Sequence, residues 1–145
     1  LNVRKVEGGY EVRQRRFHRG FIDENYRDQS TRWTIPLTIR RKIPLTEEWR
    51  EVESRVMWSQ YDVIFIESAS PILINSDGQY YYRVIYDDYK PFYAHPNTTM
   101  NTERRLQQTK VLDDAMGGML SGYIDPSLVF RFAAHSGIDM PNSFF

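Results

Sequence analysis

Apolar and polar residues alternate through the first seventeen positions: Leu1 and Val3, then Tyr10 and Val12, each stand between polar or charged neighbours. A period of two sends successive side chains to opposite faces of a strand. Glu7-Gly8-Gly9 separates the two runs, so residues 1–6 and 10–17 are predicted to pair as a hairpin. The clearest strand follows a polar stretch at 23–32. In it Trp33, Ile35, Leu37 and Ile39 alternate with Thr34, Pro36, Thr38 and Arg40. Pro36 has no N–H to give a ladder, so its backbone is expected to face an edge or a bulge.

Residues 45–58 fit two templates. Leu45, Trp49, Val52 and Val56 make a helical stripe, whereas Val52, Ser54, Val56 and Trp58 make a strand face. The β-rich surroundings favour extended structure. The apolar run 63–66 reads as an inner strand, and 71–74 opens another. Asp77-Gly78 then offers a tight turn, with a return strand predicted at 80–86.

The period changes further on. Pro91, Pro96 and Asn97-Thr98-Thr99 form a linker, after which Leu112, Ala115, Met116, Met119 and Leu120 recur at helical spacing. Gly122 is placed to stop that helix, and Asp125-Pro126 to cap a second one carrying Leu128, Val129 and Phe132 as far as Gly137. The apolar faces exceed what two helices bury between themselves, so they pack on the sheets or continue into further helices. The predicted fold is mainly β: an antiparallel β-sandwich at 1–90, then a linker and a short α-helical hairpin at 91–145.

Composition supports a packed domain. The 145 residues include 21 aromatics, and 41% are hydrophobic. Lysine and arginine number 19, as do aspartate and glutamate, which removes the global field that would draw the chain onto nucleic acid. The balance is uneven, however, with a net +4 over residues 1–60 and −4 over 61–145. No run approaches the ~20 apolar residues of a membrane-spanning helix. Cysteine is absent, so neither disulfides nor thiolate chemistry is available. The non-methionine start at Leu1 suggests a processed or excised piece.

Few residues promise chemistry. His18, His95 and His135 are scattered, without the spacing of a zinc-binding helix. Asp87-Asp88 and Asp113-Asp114 are carboxylate pairs, but neighbouring side chains diverge, which favours turn and helix roles over acid–base work. His135-Ser136 lacks a strained nucleophile turn and an orienting third group. Gly117-Gly118 falls late in a helix pattern, which fits close packing better than a phosphate cradle. Arg13, Arg15, Arg16 and Arg19, with Phe17 and His18, form the one candidate nucleic-acid patch. Strand alternation would split it, with Arg16 opposite Arg13 and Arg15. Asn97-Thr98-Thr99 matches an N-glycosylation acceptor, a modest pointer to the secretory pathway.

Four stretches, in order, resemble the region after the catalytic domain in zinc aminopeptidases of the aminopeptidase N, puromycin-sensitive and endoplasmic-reticulum aminopeptidase type. Gln14-Arg15-Arg16-Phe17 resembles the family's Gln-x-Arg-Phe strand, and Trp33-Thr34-Ile35-Pro36-Leu37-Thr38 its Trp-x-Ile-Pro-Leu-Thr strand. Asn75, then Tyr81-Tyr82-Arg83-Val84 with Tyr86-Asp87, resembles its Gly-Tyr-Tyr-Arg-Val-Asn-Tyr-Asp element. Leu112-Asp113-Asp114-Ala115 with Gly122 resembles the helix that begins its C-terminal helical domain. The similarity runs from about Gly9 to Phe132.

The resemblance implies a small sandwich bridging a thermolysin-like zinc domain to a curved helical domain. The zinc, its ligands and the peptide substrate then belong to the parent protein, the partners are the neighbouring catalytic and helical domains, and no catalytic or metal-binding residue is expected here. The alternatives are a stand-alone β-sandwich module that binds protein or glycan, and a segment of an inactive aminopeptidase-like pseudo-enzyme.

Overall fold

A computed structural model describes residues 1–17, 32–46, 48–65, 70–95 and 99–138. Among these residues seven strands appear in chain order: β1 (Asn2–Val6), β2 (Gly9–Arg13), β3 (Ile35–Lys42), β4 (Trp49–Met57), β5 (Tyr61–Phe65), β6 (Ile72–Ile74) and β7 (Ile85–Tyr86). They form a four-stranded sheet of order β5-β2-β1-β7 and a three-stranded sheet of order β4-β3-β6. Pairing is antiparallel except between β1 and β7. A 3₁₀ turn at Lys90–Phe92 leads to α1 (Thr102–Leu120) and α2 (Pro126–His135). The fold is mainly β, a sandwich followed by a helical hairpin.

The first hairpin forms as the alternation predicts, with Gly8 at φ 74° in its turn. β2 ends at Arg13, however, and 14–17 run on without a ladder. The inner residues Val3, Tyr10, Val12 and Ile64 meet Ile35, Leu37, Ile39 and Met57 of the other sheet in one hydrophobic core. Burial of these aliphatic side chains supplies about 1.5–3 kcal/mol each.

Extended structure prevails at 49–57, where β4 pairs with β3 across a bulge at Ile39/Arg40. Trp49 stacks on Phe92 at 5.6 Å between ring centroids, so tertiary packing decides between the two periodicities. The Pro36 backbone meets an edge. The Thr38 carbonyl accepts from the Asn75 N–H on the β6 side, and Pro36, two residues earlier, faces that side beyond the end of β6.

Two expectations fail. The run at 63–66 was expected inside a sheet, yet β5 is an edge strand that exposes Tyr61 and Phe65 and buries only Ile64. The return strand at 80–86 shrinks to Ile85–Tyr86 and pairs in parallel with β1 in the opposite sheet, so no hairpin forms with β6. Gly78 takes φ 66° and donates to the Asn75 carbonyl, as a tight turn requires, but Asn75 then diverts the chain. It lies at φ 53°, fully buried, and its side-chain amide bonds both the N–H and the carbonyl of Tyr80 at 3.2 and 3.0 Å. A side chain thus takes the bonds a ladder partner would have made, and the chain crosses to the other sheet.

The helices pack on the sandwich through Val111, Leu112, Ala115, Val129 and Phe132, which join the strand core. Helix α1 begins ten residues before the apolar pattern shows, because its first turns hold polar residues capped by Asn101, whose side chain accepts from the Arg104 N–H. It ends as the glycine predicts. The Gly122 and Tyr123 amides donate back to the carbonyls of Met119 and Gly118, with Gly122 at φ 76°. Asp125 caps α2 through the Ser127 N–H, with Pro126 in its first turn. Leu106, Leu120 and Phe130 stay exposed. Among the described residues no helix is long and apolar enough to cross a membrane.

Candidate functional site: an aromatic and arginine groove

The chemically distinctive surface lies where the two sheets and the helices meet. The crossover after Asn75 brings Tyr80, Tyr81, Tyr82 and Arg83 beside Arg15-Arg16-Phe17 and the start of β3, enclosing a groove of about 360 Å3. Trp33, 39% exposed, and Tyr81, fully exposed, both line it. Tyr80 and Tyr82 stack with centroids 6.2 Å apart.

Each wall is fixed from behind. Gln14 is buried and clamps the start of β3: its amide donates to the Trp33 and Ser59 carbonyls, and its oxygen accepts from the Trp33 N–H at 2.8 Å. The Tyr82 hydroxyl donates to the Pro36 carbonyl at 2.8 Å, and burial pushes its phenol well above the ordinary value. The Arg15 guanidinium lies 4.1 Å above the Tyr123 ring, which also packs against Phe17. The Arg83 guanidinium also lies over the Phe17 ring, 5.5 Å from its centroid.

Behind the groove, Arg83 reaches α1. Its Nη1 donates to the Asp113 carboxylate at 2.8 Å and to the Asp113 carbonyl at 2.9 Å. Asp114 is buried beside it, accepting from the Val84 N–H at 3.0 Å and pairing with Lys110. Burial pushes its carboxyl above the usual value, and Lys110, the Val84 amide and Arg83 pull it back. The Leu1 amino group donates to the Arg83 carbonyl at 2.5 Å, which extends the β1–β7 ladder to Val84. Gly117 permits this approach, because a Cβ there would stand 2.8 Å from the Arg83 guanidinium carbon.

The remaining sequence candidates serve structure. The Asp87 carboxylate accepts from the Lys5 N–H, its own N–H bonds the Val3 carbonyl, and the Asp88 carboxylate accepts from the Lys90 N–H at the start of the 3₁₀ turn. The Tyr86 hydroxyl, inside the core, accepts from the Ile74 N–H and so ties the two sheets together. Ser136 is buried with its hydroxyl on the Ala133 carbonyl, and His135 stacks on Tyr93 at 4.7 Å. His18, Arg19 and Asn97 lie outside the described residues. Among those described, no three His, Cys, Asp or Glu side chains gather as metal ligands.

Of the arginine patch, Arg13 is not among the groove's lining residues, whereas Arg16 joins Arg15 there and does not stand apart from it as strand alternation predicts. Because β2 stops at Arg13, Arg15, Arg16 and Phe17 all line one groove. The aromatic partners Trp33 and Tyr81 come from segments whose convergence depends on the crossover. In the sequence Trp33 and Tyr81 stand out only as members of two of the four ordered stretches.

Fold and groove together define a β-sandwich with a helical hairpin docked on it and an aromatic, basic groove at their junction. No family model and no curated protein matches the chain.

Proposed function

We propose that this chain is the non-catalytic sandwich and first helices of a zinc aminopeptidase-like protein, and that it holds a catalytic and a helical domain at a fixed angle. The observation that carries the reading is the clasp between two of the four ordered motifs. The Tyr81-Tyr82-Arg83-Val84 element grips the Leu112-Asp113-Asp114-Ala115 helix through Arg83 and the Val84 amide. A clasp of this kind fixes the first helix against the sandwich, as a bridge between domains requires. The zinc and its ligands are assigned to the parent, since no residue of this chain corresponds to the family's metal-binding motif.

The test has two parts. Incubated with zinc and aminoacyl fluorogenic substrates, the chain is expected to give no turnover, and metal-dependent turnover would overturn the reading. The gene upstream of Leu1 is expected to encode His-Glu-x-x-His, and an upstream sequence without it points to a pseudo-enzyme or to a stand-alone module. The exposure of Trp33 and Tyr81 on the groove favours the stand-alone module as second reading.

A further inference from the structure

We propose that the groove between residues 15–17, 33–36 and 80–83 is a docking site for an acidic segment of a partner protein that carries an aromatic or aliphatic anchor residue. The proposal does not depend on the bridging role.

Charge selects the partner. The charged side chains lining the groove are Arg15, Arg16 and Arg83, and none of the described lining residues is acidic. Arg83 has Asp113 and Asp114 as counter-ions, whereas no carboxylate among the described residues lies within ion-pair distance of Arg15. Arg15 rests on an aromatic face instead, partly stripped of water, and burial holds its pKa below the usual arginine value. A cation held in this way by a ring, with its remaining N–H fork open, suits a carboxylate.

Shape narrows the partner further. Trp33 and Tyr81 line the same groove as Arg15 and are exposed there, so one aromatic or aliphatic side chain can pack on them while a neighbouring carboxylate meets Arg15. A volume of about 360 Å3 fits two or three side chains rather than a run of nucleotides. Asp113, two-thirds exposed next to Arg83, places negative charge at the α1 side and disfavours a phosphate backbone there. Strand addition is also blocked, because Pro36 has no N–H and its carbonyl is occupied by Tyr82. Recognition therefore falls to side chains.

Isothermal titration calorimetry on the whole chain tests this with four probes: a Glu/Asp-rich octapeptide with one central tyrosine, its Gln/Asn counterpart, an eight-nucleotide oligothymidylate, and sialyllactose. The acidic peptide is expected to bind one-to-one with Kd at or below about 1 mM and to weaken at least about fivefold between about 0.05 M and 0.5 M salt. Arg15→Gln is expected to weaken it about tenfold. Tyr81→Ser, at a side chain outside the core, is expected to weaken it several-fold with an unchanged melting temperature, which keeps the test valid if Arg15→Gln unfolds. Equal binding of the neutral peptide, tighter binding of the oligonucleotide or the sugar, no saturable heat, or indifference to both substitutions would overturn the proposal.

Discussion

Arg83 holds Asp113 at two points, its Nη1 donating to both the carbonyl and the carboxylate of that residue, while Asp114 beside it turns inward. The two acids of one motif therefore do different work. Asp113 is 65% exposed in its side chain, so Asp113→Ala is expected to cost less than about 1 kcal/mol. Asp114→Ala strands the Val84 N–H and removes the partner of Lys110 in a buried position, at a cost of about 2–4 kcal/mol. Urea denaturation midpoints of the two variants check the contrast, and equal losses would contradict it.

Asn75 separates backbone strain from side-chain bonding. Asn75→Gly removes the cost of φ 53° but loses both bonds to Tyr80. Asn75→Ala loses the bonds and keeps the left-handed strain. Both variants are destabilised, Ala by about 1 kcal/mol more than Gly. Thermal melts of the pair measure this, and the reverse order would contradict it.

Two glycines differ in what opposes a methyl group. At Gly9 a Cβ would stand 2.0 Å from the Ile64 carbonyl oxygen, in the β2–β5 ladder, where backbone cannot yield. Gly9→Ala is expected to cost about 3 kcal/mol and to loosen β5. At Gly117 the obstacle is the tip of Arg83, which can swing aside, and alanine gains about 1 kcal/mol of helix propensity. Gly117→Ala is expected to lie within about 1 kcal/mol of wild type. Amide exchange in β5 and global unfolding of both variants distinguish the cases.

What the sequence made legible was local chemistry. The first hairpin, β3, the Gly122 stop and the Asp125-Pro126 cap each depend on residues within a few positions of one another, and the structure has all four. The start of α1 was hidden because Arg104, Arg105, Gln107 and Gln108 carry no apolar period, and Gln108 bonds the Phe92 carbonyl instead. The return strand failed because Asn75 redirects the chain through bonds that no periodicity reports. The groove was legible in its parts, Gln14-Arg15-Arg16-Phe17, Trp33 and Tyr81-Tyr82-Arg83, but their meeting depends on that same crossover.

The position of β1 between β2 and β7 bears on how the chain folds. Its first neighbour follows within a few residues, whereas the second arrives only at Ile85. The early hairpin therefore forms with one side of β1 open, and the sheet closes only after Ile85 and Tyr86 have been made. Closing so long a loop is entropically slow. During synthesis the open flank of β1 is exposed to mispairing until β7 covers it, and β7 lies two residues beyond the Arg83 that bonds α1.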